Sequence, residues 1–325
     1  PKKFYLFYLF YLPAVRFVLL PTAELEVEQP INKEENTMNF ALMSYRIKNQ
    51  FMSFIAPSRT AKKNLAMFMS PRRSEPKAWE QKAEKLGERF NLSEDISAIS
   101  WPPEEAAAAV GEVQKKLLLI HGWESRATQM YGLVPQLLEL GYRVTALDMP
   151  AHGQSPGKMA NAEVFVQTLL LAQEKLGKFD AVVGHSLGAG AASLALSRGL
   201  ETDKLVLVSG PSSIENVLRR FSGFVGLNRR ATNKFIEFAA ELVGRHPADL
   251  DASKQNAGNL TPTLIVHDVD DNEVPISESR RLLPAFENAE FFETRGLGHR
   301  KILKSPQLNE KIYQFLSVTT AAKLY

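Results

Sequence analysis

A Gly-His-Ser-Leu-Gly pentapeptide at residues 184–188 constrains the fold of this chain more than any other feature. It follows an apolar run at 181–183 and precedes a run of small residues at 189–194. A strand that turns sharply into a helix presents the middle residue of such a pentapeptide at the carboxyl edge of a sheet. Strand and helix then approach so closely that only glycine fits two residues before and after the serine. The pattern predicts that Ser186 is an exposed nucleophile.

Carboxylates and a histidine follow this serine along the chain, each beyond the end of a predicted strand. Asp268, Asp270 and Asp271 come after one apolar run, and His299 comes after another. A serine hydroxyl is a poor nucleophile at neutral pH and needs a base within hydrogen-bond reach. An imidazole can take the hydroxyl proton, and a carboxylate can hold the other ring nitrogen. The order of serine, carboxylate and histidine predicts a nucleophile, an orienting acid and a base, with His299 as the base.

Two further motifs precede the serine. The apolar run at residues 117–120 ends in His121 and Gly122, and a strand-like run leads into the sequence Asp-Met-Pro-Ala-His-Gly-Gln-Ser at residues 148–155. In this order the four motifs resemble the α/β-hydrolase superfamily, specifically its bacterial-type serine ester hydrolases, over roughly residues 114–318. Ala151 departs from the superfamily pattern, which has glycine there, but this motif shapes a loop and carries no chemistry in the superfamily.

The resemblance assigns a role to one of the three aspartates. Aligning His267 and Val274 with the superfamily pattern His-Gly-x-x-Asp-x-x-Val-Pro places Asp271 at the position of the acid. Asp268 then stands where the superfamily has glycine, and Asp270 is an additional loop charge. We expect these two to be solvated loop carboxylates.

The resemblance also implies an oxyanion hole. Its donors would be the backbone N–H groups of Leu187 and Trp123, and losing one such donor typically costs about 2.7–4 kcal/mol of barrier. The residues around these donors would support the elbow and the neighbouring loop: Gly184, His185, Gly188, His121 and Gly122.

The remaining histidines have other expected roles. His185 is expected to point away from the serine, while His121, His152 and His267 are expected to be structural and satisfied by nearby backbone. His246 follows a predicted helix without special context. The six histidines do not have the spacing of a compact ligand motif, and the chain has no cysteine. We therefore expect no metal site and no cofactor.

Short apolar runs alternate with amphipathic segments from residue 116 to residue 317. This alternation predicts an α/β fold with a mostly parallel, doubly wound sheet, whose strands are buried on both faces. The catalytic domain would span residues 76–325, beginning with a helix over residues 76–90. Residues 211–261 interrupt the alternation with two amphipathic helices. By resemblance they form a small helical lid over the serine; the alternative is that they pack on the sheet edge.

Residues 1–75 would form an N-terminal apolar and basic arm. Residues 4–12 read Phe-Tyr-Leu three times over. We expect this repeat to be an upstream region translated in error, with Met38 as the true start. The alternatives are an ordinary folded segment or a membrane or secretory signal. The absence of cysteine fits the cytoplasm, whereas a genuine signal at residues 1–23 would make the protein membrane-associated or exported.

The arm continues with a basic segment. Residues 46–73 contain seven basic residues and no acidic one, with apolar residues interleaved. We expect the segment to pack on the catalytic domain or to stay mobile, and the alternative is contact with an anionic membrane surface. The net charge of +3 is too small to argue for a nucleic-acid partner.

These features predict a serine hydrolase that cleaves a small-molecule carboxylic ester, thioester or lactone through an acyl-enzyme on Ser186. The serine argues against dehalogenase and epoxide hydrolase chemistry, in which relatives attack with a carboxylate. One alternative is an acyltransferase that uses the same three residues. Another is a non-catalytic binding protein with the same fold, since a fold alone does not imply activity.

Overall fold

A single sheet of eight strands organises the part of the chain that the structure, a computed structural model, describes: residues 33–103 and 114–318. The strands, in chain order, are β1 Glu88–Ser93, β2 Ile96–Trp101, β3 Lys115–Ile120, β4 Tyr142–Leu147, β5 Phe179–His185, β6 Thr202–Val208, β7 Thr263–Asp268 and β8 Ala289–Thr294. Their spatial order is β1-β2-β4-β3-β5-β6-β7-β8. The strand β2 pairs antiparallel with β1 and β4, and all other pairs are parallel.

Helices cover both faces of this sheet and extend beyond it. They are α1 Lys33–Ile55, α2 Pro57–Phe68, α3 Ala78–Lys85, α4 Val134–Glu139, α5 Ala162–Leu176, α6 Leu187–Leu196, α7 Ile214–Phe224, α8 Arg229–Val243, α9 Ala252–Gln255, α10 Ser277–Leu282, α11 Gly298–Lys301 and α12 Pro306–Ser317. The predicted α/β class, with a mostly parallel, doubly wound sheet and a helical insertion, is confirmed.

The central strands are apolar at every position because both of their faces are covered. In β3, Leu118 and Ile120 point into one core, which contains Phe165 of α5. The alternate residues Leu117 and Leu119 point into a second core on the opposite face. Burying each such side chain stabilises the fold by about 1.5–3 kcal/mol. The two cores fix the register of the parallel strands. The carboxyl ends of these strands carry the predicted site residues, including Ser186 and Asp271.

The predicted helix over residues 76–90 is wrong in its second half. Helix α3 ends at Lys85 and the chain turns into β1 at Glu88. The turn falls at Gly87, where a Cβ atom would lie 2.6 Å from Nε1 of Trp101 and 2.7 Å from the Ile99 side chain. The close approach of β2 therefore ends the helix, although the apolar spacing continues beyond it.

The insertion between β6 and β7 contains the two predicted helices, α7 and α8, followed by the short helix α9. Ser213 caps α7 by accepting a hydrogen bond from the amide of Asn216. Gly244 ends α8 in the left-handed region, with φ of 72°. Residues of both helices line the cavity in front of Ser186.

The basic arm packs against α7 and α8, the two helices of the insertion. Helix α2 packs along α8, and its last residue, Phe68, contacts Phe221 of α7 and Phe235 of α8 at ring-centroid distances of 4.7 and 5.9 Å. Helix α1 is held by Asn49, whose side chain donates to the carbonyl oxygen of Val225 at 2.8 Å. The arm thus extends the lid.

The predictions for residues 1–23 fall outside the described residues. Among the helices that the structure describes, none combines the length and the apolar character needed to cross a bilayer.

Candidate active site

Ser186 lies at the turn between β5 and α6. Residues other than glycine rarely adopt its backbone conformation. Its φ is 55° and its ψ is −125°. A Cβ atom on Gly184 would lie 2.6 Å from the Cα of Ala189, and one on Gly188 would lie 2.5 Å from the carbonyl oxygen of His121. Neither position tolerates a larger residue, which explains the two glycines of the pentapeptide.

The structure brings the predicted nucleophile, base and acid together. The Oγ atom of Ser186 lies 2.8 Å from Nε2 of His299. The other ring nitrogen, Nδ1, lies 2.7 Å from Oδ2 of Asp271. In the neutral imidazole, Nδ1–H donates to the carboxylate and Nε2 accepts the hydroxyl hydrogen. An imidazole in this position can take the proton of a serine hydroxyl.

Asp271 is held in its ionised form. Burial opposes its charge, but contacts with His267 and His299 and the amide of Val274 outweigh burial and lower the pKa of the carboxyl well below its usual range. Its Oδ1 atom accepts hydrogen bonds from the amides of Glu273 and Val274 at 2.9 and 2.8 Å. Oδ2 is thus left to face the imidazoles of His299, at 2.7 Å, and of His267, at 3.4 Å.

Asp268 is not the solvated carboxylate that we expected. Its side chain is fully buried. It accepts hydrogen bonds from the hydroxyl of Thr294 at 2.7 Å and from the amide of Leu297 at 3.1 Å. Burial opposes its charge, but these bonds and those from other loop amides lower its pKa. Asp268 therefore fastens the loop that carries His299, while Asp270 accepts from the amide of Gly296 nearby.

The two predicted oxyanion donors lie beside the serine. Leu187 begins α6 directly after Ser186, and both Leu187 and Trp123 line the cavity onto which Ser186 opens. Gly122 must be glycine here, because a Cβ atom on it would lie 2.7 Å from the Cβ of Ser186. This close approach brings the loop that follows β3 against the nucleophile.

His121 fixes that loop, as expected of a structural histidine. Its Nδ1 lies 2.7 Å from the carbonyl oxygen of Gly122, and its Nε2 accepts from the amide of Met149 at 3.0 Å. Burial lowers its pKa to about 4, so it stays neutral near pH 7. His267 is similarly satisfied by Ser279 and the carbonyl of Val274.

An ion pair from the arm, which the sequence does not predict, supports the same loop. Glu124 follows Trp123 and has a positive φ of 53°. Both of its carboxylate oxygens accept from the guanidinium of Arg72, at 2.9 and 2.8 Å. Arg72 lies 52 residues away along the chain, so no local pattern marks this pair.

The cavity in front of Ser186 is mostly apolar and measures about 1130 Å³ including its open mouth. Its apolar walls come from the arm, the loop after β3 and the lid: Phe68, Met69, Trp123, Ile214, Leu218 and Phe221. The contribution of the lid is as the sequence predicts, whereas that of Phe68 and Met69 depends on the packing of α2 along α8 and was not predicted. Its charged lining residues are all ion-paired: Arg220 with Glu278, Arg245 with Glu163, and Glu273 with Arg300.

His152 and His246 lie outside the group formed by Ser186, Asp271 and His299. Nδ1 of His152 lies 2.9 Å from the carbonyl oxygen of Pro150, and Nδ1 of His246 accepts from the amide of Ala248. Within residues 33–103 and 114–318, no group of three or more histidine or acidic side chains has the arrangement of a metal site.

Comparison with known proteins gives related folds. A family model described as alpha/beta hydrolase fold matches residues 115–250. The Serine hydrolase-like protein of Dictyostelium discoideum is 30% identical over 154 residues, which are 45% of this chain. The match spans only 37% of that relative's length.

Solved structures are similar over most of the chain. The meta-cleavage product hydrolase of Pseudomonas fluorescens has a TM-score of 0.51 at 19% identity, covering 71% of this chain and 98% of that one. An esterase of Pyrococcus furiosus has a TM-score of 0.55 at 19% identity, covering 76% and 97% of the two chains. An esterase of Thermogutta terrifontis has a TM-score of 0.55 at 15% identity, covering 71% and 91%. At these low sequence identities, the structural similarity is evidence for the fold alone.

Proposed function

Because this chain belongs to the α/β-hydrolase superfamily, we propose that it is a serine hydrolase that cleaves a carboxylic ester through an acyl-enzyme on Ser186. The observation that carries the proposal is the hydrogen-bonded series from Ser186 through His299 to Asp271, with distances of 2.8 and 2.7 Å. This is the arrangement that a serine needs to become a nucleophile near neutral pH.

The proposed reaction has two halves. In the first, Nε2 of His299 takes the hydroxyl proton while Oγ of Ser186 attacks the ester carbonyl carbon. The resulting oxyanion accepts hydrogen bonds from the amides of Leu187 and Trp123. The intermediate collapses, the bond to the alcohol oxygen breaks, and the imidazolium returns its proton to the leaving alcohol. Asp271 stabilises the imidazolium throughout.

In the second half, water attacks the acyl carbonyl and gives its proton to His299. The bond to Ser186 Oγ then breaks, the serine regains a proton from the imidazolium, and the carboxylic acid leaves. No cofactor or metal ion takes part in this sequence. The same carboxylate, imidazole and amide donors serve both halves.

The cavity favours a neutral, apolar acyl or alkyl group. Its aromatic and aliphatic lining would bury hydrocarbon, and each buried CH₂ contributes about 0.8 kcal/mol. Its charged lining residues already have ion-pair partners. A charged substrate would therefore have to displace an existing partner, whereas an uncharged ester would not.

Hydrolysis of p-nitrophenyl esters from acetate to palmitate tests the proposal. The wild type should release p-nitrophenol, and Ser186→Ala should lower kcat/KM by at least about 10³-fold. Ser197→Ala, on the turn after α6, is the matched control and should retain activity, because its hydroxyl bonds the Leu194 carbonyl away from the cavity. An active Ser186→Ala variant would refute the proposed nucleophile.

A further inference from the structure

Helix α1 is built with its polar face toward the protein. The hydroxyl of Tyr45 donates to Oδ1 of Asn64 at 3.0 Å, and Asn49 donates to the Val225 carbonyl at 2.8 Å. Ser53, on the same face, is fully buried. Helices of globular proteins ordinarily turn an apolar stripe inward and a polar face outward. In α1 the inward face instead contains polar side chains, while large apolar side chains are exposed.

The outward face of α1 carries six large apolar side chains. From residue 40 to residue 54 these side chains recur at intervals of three or four residues, which places them along one side of the helix, and Ile55 adjoins the last of them. Their exposed fractions run from 51 to 68%, and together they form what we term the apolar stripe: Phe40, Met43, Ile47, Phe51, Phe54 and Ile55. A contiguous exposed apolar patch of this kind marks a docking or membrane-contact surface.

Positive charge borders the apolar stripe. Arg46 and Lys48 are exposed and adjoin Ile47, and neighbouring residues of a helix point to its two sides. Arg59, at the start of α2, is also exposed, and residues 46–73 include no acidic residue. An apolar face flanked by basic residues matches the layers of an anionic bilayer, in which hydrocarbon lies beneath negatively charged headgroups.

We propose that α1 docks on the surface of an anionic phospholipid bilayer, with the apolar stripe inserted at the boundary between headgroups and acyl chains. Arg46 and Lys48 then lie at the level of the lipid phosphates. The helix lies in the plane of the surface, because its opposite face is hydrogen-bonded to α2 and to the end of α7.

The docking helix is linked to the cavity. The contact between Asn49 and Asn64 joins α1 to α2, and Phe68 at the end of α2 lines the cavity before Ser186. Docking would hold the cavity near apolar esters that partition into the bilayer. The docking does not depend on the chemistry of Ser186, so the two proposals can fail separately.

Co-sedimentation with vesicles tests the docking. The full chain is mixed with vesicles of phosphatidylcholine alone or with about 30% phosphatidylglycerol, at about 0.1 and 1 M NaCl, where the Debye lengths are about 10 and 3 Å. We expect binding to the anionic vesicles at low salt and substantial release at high salt. Ser186→Ala should bind as the wild type does while losing esterase activity.

Two variants separate the contributions of apolar and charged groups. The triple variant Ile47→Ser, Phe51→Ser, Phe54→Ser should reduce partitioning at least about tenfold, since each buried CH₂ contributes about 0.8 kcal/mol. The double variant Arg46→Gln, Lys48→Gln should reduce it about fivefold for each charge, at about 1 kcal/mol per basic residue.

Matched controls change equally exposed residues elsewhere. Leu260→Ser replaces an apolar side chain that is 62% exposed, and Lys175→Gln with Lys178→Gln removes two exposed charges. These controls should bind vesicles as the wild type does. The triple variant, the double variant and these controls should retain the circular dichroism spectrum and the hydrolysis of a water-soluble ester.

Three results would overturn the proposal. The first is absence of wild-type binding to anionic vesicles, as expected if residues 1–32 cover the apolar stripe. The second is equal binding by the wild type and the triple variant. The third is a wild-type dimer, measured by light scattering, that the triple variant converts to a monomer without change in vesicle binding, since a second copy would then cover the apolar stripe.

Discussion

The Nε2 atom of His185 lies 2.8 Å from the carbonyl oxygen of His299 and donates its hydrogen to it. The residue before Ser186 therefore supports the loop that carries His299. Burial, followed by repulsion from His299, lowers the pKa of His185 to about 3, which keeps its imidazole neutral. The hydrogen bond joins His185, the last residue of β5, to His299 in the segment after β8.

Removing this support should impair the reaction more than substrate binding. We expect His185→Ala to lower kcat about tenfold and leave KM nearly unchanged, because the imidazole of His299 loses its fixed position. His185→Gln should recover part of the loss through an amide donor. Steady-state kinetics with p-nitrophenyl butyrate measure both constants, and His246→Ala serves as the control. A change in KM alone would contradict the positioning role.

The two buried aspartates should respond differently to the same substitution. Asp271→Asn should reduce kcat by about 10³–10⁴-fold, because the amide no longer stabilises the imidazolium or fixes its tautomer. Asp268→Asn should keep most activity but lower the free energy of unfolding, since it disturbs the bonds to Thr294 and Leu297. Kinetics and urea unfolding of both variants separate these effects. Greater activity loss in Asp268→Asn would reverse the two assignments.

The sequence was sufficient to predict the strands and turns that are determined by local residue patterns. The apolar run through Leu117 and Ile120 identified a strand buried on both faces, and the glycines around Ser186 identified the sharp turn. The order of motifs then placed Asp271 and His299 at strand ends that share one edge of the sheet. The strand and the turn follow from local packing, whereas the choice of Asp271 among three aspartates came from the resemblance to the superfamily pattern.

Other features depend on contacts between distant segments. Phe68 lines the cavity because α2 packs on α8, and Asp268 is buried because a neighbouring strand supplies Thr294. The spacing of Trp79 and Ala83 continues through residue 90, but the approach of Trp101 to Gly87 ends the helix. Local patterns carry no information about these approaches, so they could not be predicted.

Phe68 should influence the choice of acyl chain. We expect Phe68→Ala to lower kcat/KM for octanoate and longer p-nitrophenyl esters about tenfold and to change acetate hydrolysis little, because only longer chains reach the hydrophobic contact it supplies. Leu242→Ala removes a lid side chain that is 57% exposed and should leave the profile unchanged. A uniform loss over all chain lengths in Phe68→Ala would argue against contact with the acyl chain.

Stability should fall in mild acid because the fold keeps three histidines neutral. Burial is the main cause that lowers the pKa of His121 to about 4 and the pKa values of His152 and His185 to about 3. Free histidine titrates near pH 6.5, so above about pH 6.5 neither state takes up a proton at these sites. Below that pH the unfolded chain binds protons that the folded chain does not, and the free energy of unfolding falls.

The expected loss is up to about 1.4 kcal/mol per pH unit for each histidine, between about pH 6.5 and pH 4. Urea unfolding at about pH 7.5, 6.5 and 5.5 measures it. The variant His152→Phe should show about two thirds of the wild-type slope below pH 6.5, because one of the three histidines is gone. Equal stability at pH 5.5 and 7.5 would contradict the account.

Trapping the acyl-enzyme tests the central proposal most directly. The protein is mixed with p-nitrophenyl butyrate, quenched in acid within milliseconds and analysed by mass spectrometry of its peptides. The account predicts a burst of p-nitrophenol and a butyryl group on the peptide that contains Ser186, with neither in Ser186→Ala. Ester turnover accompanied by acylation of a different residue, or undiminished turnover by Ser186→Ala, would contradict it.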